Sequence, residues 1–268
     1  MKFQNTKILL LKQNNMKDIS FIIGLKIDSQ DRLNNLKISV DNLRYNFPDS
    51  EIIISELDEV SKIDMKLGGV KHVFVKTSEF FNRQKAVNYG ISASDRKVVA
   101  HYDADIILNK KTTERCASLI LNDEIDVVYP HNGHFYDIPK EYHSKINEDK
   151  NLDSITKEQC KLLSTQNVGG VVFFNRDVYW KGGGANEKFL GVGYEDNEIF
   201  TRFTKLKYRI GKINTPVFHL NHERKETSFD YNPYNEQNRK EYVKIHKMSF
   251  EELSEEIKSW SYEKKNLY

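Results

Sequence analysis

Over its first hundred residues the chain alternates short apolar runs with segments whose apolar residues recur at helical spacing. Residues 19–25 form an apolar run ending in charged, turn-prone residues, the pattern of a buried strand. Leu33, Leu36, Val40 and Leu43 then recur every three to four positions, and Pro48-Asp49 marks a turn. Residues 51–57 read as a second strand, 72–75 as a short third and 97–102 as a fourth. Between the last two, Ala86, Val87 and Ile91 make one stripe of a helix over 82–92. This alternation specifies an α/β chain with an open, mainly parallel sheet flanked by helices. Such sheets bind ligands beyond the carboxyl ends of their strands, and the fourth strand runs straight into Asp103-Ala-Asp105.

The second half is less regular. Residues 125–129 and 171–174 are strand-like, and 131–165 between them is a polar stretch too long for an ordinary connection. It reads as a functional loop with some helix. Gly182-Gly-Gly184 reads as a flexible loop, and Ile199, Phe200, Phe203 and Leu206 give an amphipathic helix from Glu195. Residues 208–213 and 217–220 are late strands, and the tail from Ser249 is a charged helix with Leu253, Ile257 and Trp260. At 268 residues the chain can bury one substantial core. The expected organisation is an extension over 1–18, a single domain over 19–245 and a helical tail over 246–268.

Composition removes several classes. A net charge of +2 leaves no general nucleic-acid footprint. Cys116 and Cys160, the two cysteines, have no short spacing, which argues against a disulfide scaffold or a cysteine zinc site and fits a reducing compartment. The apolar run at 8–11 is too short for a signal segment or a membrane span, so a cytoplasmic location is expected. Residues 260–268 read as a solvated helix end; peripheral contact with the inner face of the plasma membrane is the alternative. Richness in Lys, Asn and Ile suggests an AT-rich bacterial genome.

Three motifs carry chemistry. On an extended segment Asp103 and Asp105 point the same way and can serve one divalent cation such as Mn²⁺ or Mg²⁺; alone, the pair is an acidic turn. Gly193-Tyr-Glu195-Asp196-Asn-Glu198 places carboxylates at the mouth of a helix, where free N–H groups stabilise ionised acids. Capping accounts for one or two of these acids, and an ionised carboxylate beside a hydroxyl is what base-assisted transfer requires. His219-Leu-Asn-His222 sets two histidines three apart after a strand, a spacing unlike the His-Glu-x-x-His zinc signature; alone, they are loop histidines. His101 stays unassigned.

In this order, Phe81-Asn-Arg83-x-Lys85, Asp103-x-Asp105, Gly169-Gly170, the 183–189 segment, Gly191-x-Gly193-x-Glu195-Asp196 and His219-x-x-His222 resemble the β-1,4-galactosyltransferase superfamily and the catalytic domains of bacterial chondroitin-synthase-type polymerases. The resemblance covers roughly residues 19–244. It implies the GT-A glycosyltransferase fold, a Mn²⁺ (or Mg²⁺) cofactor, a UDP-sugar donor and a glycan or lipid-linked glycan acceptor. By position, Arg32, Asn82, Arg83, Asp103, Asn167 and Gly170 would bind the donor. Asp105 and His222 would ligate the metal, with Asp103 as partner and His219 standing where relatives have a methionine. Glu195 and Asp196 would hold the acceptor hydroxyl, Asp196 as base. Val192 replaces an acceptor-stacking tryptophan, and Asn167 stands where galactose-specific members have a tyrosine. The implied activity is inverting transfer of an N-acetylhexosamine, with galactose as the alternative, in surface polysaccharide or glycoconjugate synthesis. The rivals are a sugar-nucleotide nucleotidyltransferase, disfavoured by the single glycine in 24–32, and a non-catalytic carbohydrate-binding protein.

Overall fold

The computed structural model describes residues 16–63, 68–223, 231–260 and 262. The extension expected over 1–18 and the last residues of the tail therefore lie largely outside the described residues. The first half runs β1 (Ile19–Leu25), α1 (Gln30–Asn46), β2 (Glu51–Asp58), β3 (Lys71–Lys76), α2 (Arg83–Ser92), β4 (Val98–Tyr102), β5 (Ile106–Ile107) and α3 (Lys110–Leu121). Then come β6 (Val127–Tyr129), β7 (Phe135–Ile138), α4 (His143–Asp149), β8 (Lys161–Ser164), β9 (Val171–Asn175) and α5 (Arg176–Lys181). The last elements are α6 (Glu195–Lys205), β10 (Ile210–Lys212), β11 (Val217–Leu220), α7 (Asn235–Lys247) and α8 (Phe250–Lys258).

Seven strands form the main sheet in the order β10-β6-β9-β4-β1-β2-β3. The pairs β1–β2, β1–β4, β2–β3 and β6–β10 are parallel, while β9 lies antiparallel between β4 and β6. The expectation of a mainly parallel α/β sheet is met. Strand β1 is buried almost throughout because helices cover both faces. On one face Phe21, Ile23 and Phe173 pack against Leu36 and Val40 of α1 and Ile120 of α3. On the other, Ile22, Val99 and Phe174 pack against Val87 of α2 and Ile199 and Phe203 of α6.

The stretch over 131–165 departs from its reading as a loop with some helix. Besides α4 it contributes β7 and β8 to a second sheet, ordered β5-β11-β7-β8. These strands find their partners far along the chain: β7 runs parallel to β11, with Asp137 opposite His219, so no local pattern announces them. Helices α3, α5 and α7 were likewise not foreseen. Helix α7 crosses the boundary expected at 245/246, and Trp260 lies just beyond α8.

Gly182-Gly-Gly184, read as a flexible loop, is a turn held by a buried cation. Arg202 of α6 is fully buried; its guanidinium donates to the carbonyls of Gly182 and Gly184 and pairs with Glu198 one turn earlier (Nε–Oε1 2.6 Å). Removing one member of such a pair strands the other in the interior. Arg202→Met should therefore cost about 3–5 kcal/mol of unfolding free energy in urea titrations. Pairing it with Glu198→Leu should recover much of that loss; an Arg202→Met protein as stable as the wild type refutes the role assigned to the pair.

Candidate active site

Strand β4 ends at Tyr102 and the chain turns at once. The Asp103 N–H donates to the Gly170 carbonyl (2.9 Å), and the Ile106 N–H donates back to Asp103 O (3.3 Å). This turn breaks the two-residue alternation of a strand, and the carboxylates of Asp103 and Asp105 take different partners. Asp103 goes to Arg83 (Oδ1–Nη2 2.7 Å). Asp105 faces the second sheet, its Oδ2 lying 3.1 Å from His222 Nε2, 3.5 Å from His219 Nε2 and 3.7 Å from Arg32 Nη1. The β5–β11 ladder sets Ile106 opposite His219, and the Leu220 N–H donates to Asp105 O (2.7 Å), which fixes the meeting.

Asp105, His219 and His222 each offer one ligand atom, all within 4.8 Å of one another. Asp103 is not in this set. The histidines are already oriented for coordination: His219 Nδ1–H donates to Asp137 Oδ1 (2.7 Å) and His222 Nδ1–H to the Glu223 carbonyl (2.7 Å). Both Nε2 atoms are thereby left towards Asp105, the tautomer a ligating imidazole needs. One carboxylate and two imidazoles suit a transition-metal dication such as Mn²⁺ better than Mg²⁺, which favours all-oxygen sites. Burial pushes the Asp105 carboxyl up, but His219 and His222 overcome this and hold it well below the usual carboxylate range. Burial pulls His219 down, yet Asp105 and Asp137 raise it to about 9.

On the other side of the cleft, Arg83 in the first turn of α2 joins three acids. Besides Asp103, its Nη1 lies 2.8 Å from Glu195 Oε1 and 3.5 Å from Asp196 Oδ2. Burial lowers the affinity of this guanidinium for its proton, and the three carboxylates more than restore it. Asp103 is pushed up to about 6 by burial, against the pull of Arg83 and with the charges of Asp105 and Asp196 added. Glu195, fully enclosed and accepting from the Gly193 N–H (2.5 Å), is pushed up to about 7 by burial and then by Asp196. Asp196 stays partly open to the cleft. A β-carbon on Gly169 would collide with its carboxylate, so glycine is what lets strand β9 approach.

The cleft brings together Arg32, Arg83, Asp103, Asp105, Asn167, Gly170, Asp196, His219 and His222. Asn82 sits differently. Its Oδ1 caps α2 by accepting from the Lys85 N–H (2.8 Å), and its Nδ2 donates to the Glu187 carbonyl (2.7 Å), so its side chain serves the scaffold. Sequence reasoning missed Asp137, the carboxylate behind His219. It lies in the stretch read as a loop, and a lone aspartate there carries no local sign of its partner.

The α/β sheet, with a carboxylate–histidine cluster, an arginine and a half-open aspartate gathered beyond its strand ends, has the GT-A fold. The model "Glycosyl transferase family 2" matches residues 33–183, and the chain belongs to that family. A second model, "N-terminal domain of galactosyltransferase", matches residues 152–225. Among solved structures, a Drosophila β-1,4-galactosyltransferase 7 variant in complex with manganese, UDP-Gal and xylobiose aligns over 87% of this chain and 82% of its own. Identity is 16% and the TM-score 0.52, a likeness of fold. The catalytic domain of the Drosophila enzyme with xylobiose aligns over the same shares at 15% identity and a TM-score of 0.48. No curated protein sequence matches the chain. Family membership sets aside the nucleotidyltransferase and the non-catalytic binding protein. Among the described residues no helix is long and apolar enough to cross a membrane.

Calorimetry with Mn²⁺ checks the ligand set. Asp105→Ala should abolish binding, and Asp137→Asn should weaken it by roughly 10–100-fold, the usual cost of losing the partner behind a ligating histidine. Because His219 must give up its proton to coordinate, affinity should rise with pH up to about 9. Unchanged affinity in Asp105→Ala places the ion elsewhere.

Proposed function

We propose that this protein transfers a sugar from a UDP-sugar to a glycan hydroxyl with inversion, Asp196 acting as the base. The observation that carries this reading is the position of Asp196, which lines both the cleft holding the metal ligands and a neighbouring cavity that holds none of them. A donor bound through its diphosphate on the metal side and an acceptor in the second cavity would meet at this carboxylate. A dication held by Asp105, His219 and His222 would supply Lewis-acid neutralisation of the charge developing on the leaving diphosphate. The manganese and UDP-Gal in the Drosophila neighbour support the same donor chemistry.

The residues divide the remaining work. Asp196 takes the proton from the acceptor hydroxyl as it attacks the anomeric carbon. Arg83 holds Asp196 in place, while Glu195, enclosed and bonded to the Gly193 N–H, fixes the entry to α6. A single displacement turns an α-linked donor into a β-linked product. Asp196→Asn preserves size but cannot accept a proton, so turnover should fall by about 10²-fold or more with donor binding little changed. If Glu195→Gln is crippling and Asp196→Asn mild, the roles are reversed.

For the donor we favour UDP-N-acetylhexosamine, in particular UDP-N-acetylgalactosamine, and for the setting bacterial surface polysaccharide or glycoconjugate synthesis. The support is Asn167, which lines both cavities. Its Nδ2 already donates to the Gly169 carbonyl (2.9 Å), so its contribution is chiefly its short reach, which leaves room for an acetamido group. UDP-galactose is the second reading, favoured by the galactosyltransferase model over 152–225. Nucleotide release from a panel of UDP-sugars with Mn²⁺ decides between them. The wild type should prefer the N-acetylated donor and Asn167→Tyr should shift towards the plain hexose; a wild type using only UDP-galactose or UDP-glucose refutes the preference.

A further inference from the structure

The cavity beside Asp196 has a volume of about 360 Å³, within the range of small-ligand sites. Its polar wall includes Ser164, Gln166, Asn167 and Asn197 beside Glu195 and Asp196, and among the described residues its one aromatic lining residue is Tyr194. That tyrosine has an unusual backbone. At φ 67° and ψ −12° it occupies the left-handed region, which a bulky side chain rarely adopts. Nearby, where the same loop needs positive φ, it uses Gly191 and Gly193. A glycine at 194 would be the undemanding choice, so a side chain kept there against the backbone's preference points to a use for the ring.

The surroundings hold that ring in place. It stacks on Tyr242 of α7, with centroids 5.9 Å apart and planes 22° from parallel. The loop beneath is clamped by the approach to α7: Asn232 Nδ2 donates to the carbonyls of Leu190 (2.6 Å) and Val192 (3.0 Å), and Asn238 Nδ2 to that of Leu190 (2.9 Å). The Tyr194 carbonyl itself accepts the Glu198 N–H (2.9 Å), which ties the residue to the helix carrying Asp196. A ring fixed two residues from the base, in a cavity whose described lining also brings amides, the Ser164 hydroxyl, the Glu195 and Asp196 carboxylates and small or aliphatic residues, is arranged like a sugar site. Pyranoses present a C–H face that packs on an aromatic ring and a rim of hydroxyls that amides can bond.

We infer that Tyr194, backed by Tyr242, is the platform on which the acceptor's pyranose ring packs, setting one of its hydroxyls at Asp196. This rests on the transfer reaction proposed above and adds the residue that selects its acceptor. Single-site changes separate the platform from a structural role. Tyr194→Gly relieves the left-handed backbone and so offsets the lost stacking on Tyr242, and its melting temperature should fall by no more than about 4 °C. With p-nitrophenyl β-glycosides of glucose, galactose, N-acetylglucosamine and glucuronic acid as acceptor probes, it should raise the acceptor KM by about 10-fold or more while the donor KM moves less than about 2-fold. Tyr194→Phe keeps the ring and should stay within about 3-fold of the wild type. An active wild type whose acceptor KM is unmoved by Tyr194→Gly overturns the inference and leaves the transfer reaction standing. So does an enzyme that releases nucleotide but uses none of these pyranosides, since a ring platform must hold at least one. A wild type that releases no nucleotide from any UDP-sugar overturns the reaction and the platform together.

Discussion

One guanidinium organises this site. Arg83 leaves the first turn of α2 and meets Asp103 from the end of β4 and both Glu195 and Asp196 from the start of α6. Three acids converging on a cleft would repel one another and take up protons. A planar, permanently charged group with several donors can bridge them at once, which a lysine cannot do with comparable geometry. The pairing also decides which acid is available. Glu195 is enclosed at 2% exposure, whereas Asp196, reached at the longer distance, remains partly open. Helix α6, strand β4 and helix α2 are thus locked in mutual position by the same contact that sets the charge of the cleft.

The candidate metal cluster depends on a different joint, between the two sheets. Asp105 sits where the chain leaves the main sheet, and His219 belongs to β11 of the smaller one; the two-residue strand β5 bridges them. Because β7 runs beside β11, Asp137 arrives opposite His219 and can fix its ring. A carboxylate and a histidine far apart in the chain are brought together by backbone register, with Asp137 held in turn by Asn221 (2.5 Å). The smaller sheet therefore acts chiefly as a mount for imidazoles.

What could be read from the sequence follows from burial. Strands β1, β2 and β4 were legible because each is buried and carries a run of adjacent apolar residues, such as Ile52, Ile53 and Ile54, and α6 because Ile199 and Phe203 mark one face. The site residues were legible through family motifs more than through spacing. Where spacing alone was used, for Asp103 and Asp105, it assumed a strand that had already ended at Tyr102. Strands β7 and β8 escaped notice because Leu162 and Leu163 are exposed and Tyr136 only half-buried, which leaves no clean alternation. Asn82 was assigned to the donor by analogy, whereas its cap on α2 is written in ordinary helix-start chemistry.

Strand β9 runs against its neighbours, so it presents its beginning, not its end, to the cleft. The excursion that precedes it leaves and rejoins at nearly one point, where the Asn167 N–H donates to the Gly133 carbonyl (3.0 Å). Residues 133–167 are thereby a closed detour: the cost of lengthening such a loop grows only slowly, and the seven-stranded sheet does not register the change. Residues 139–160, between β7 and β8, lie within that detour and away from the strand that fixes His219. Related chains could vary this interval in length and composition and diverge in the molecules they receive, while the machinery of bond-making stayed as it was.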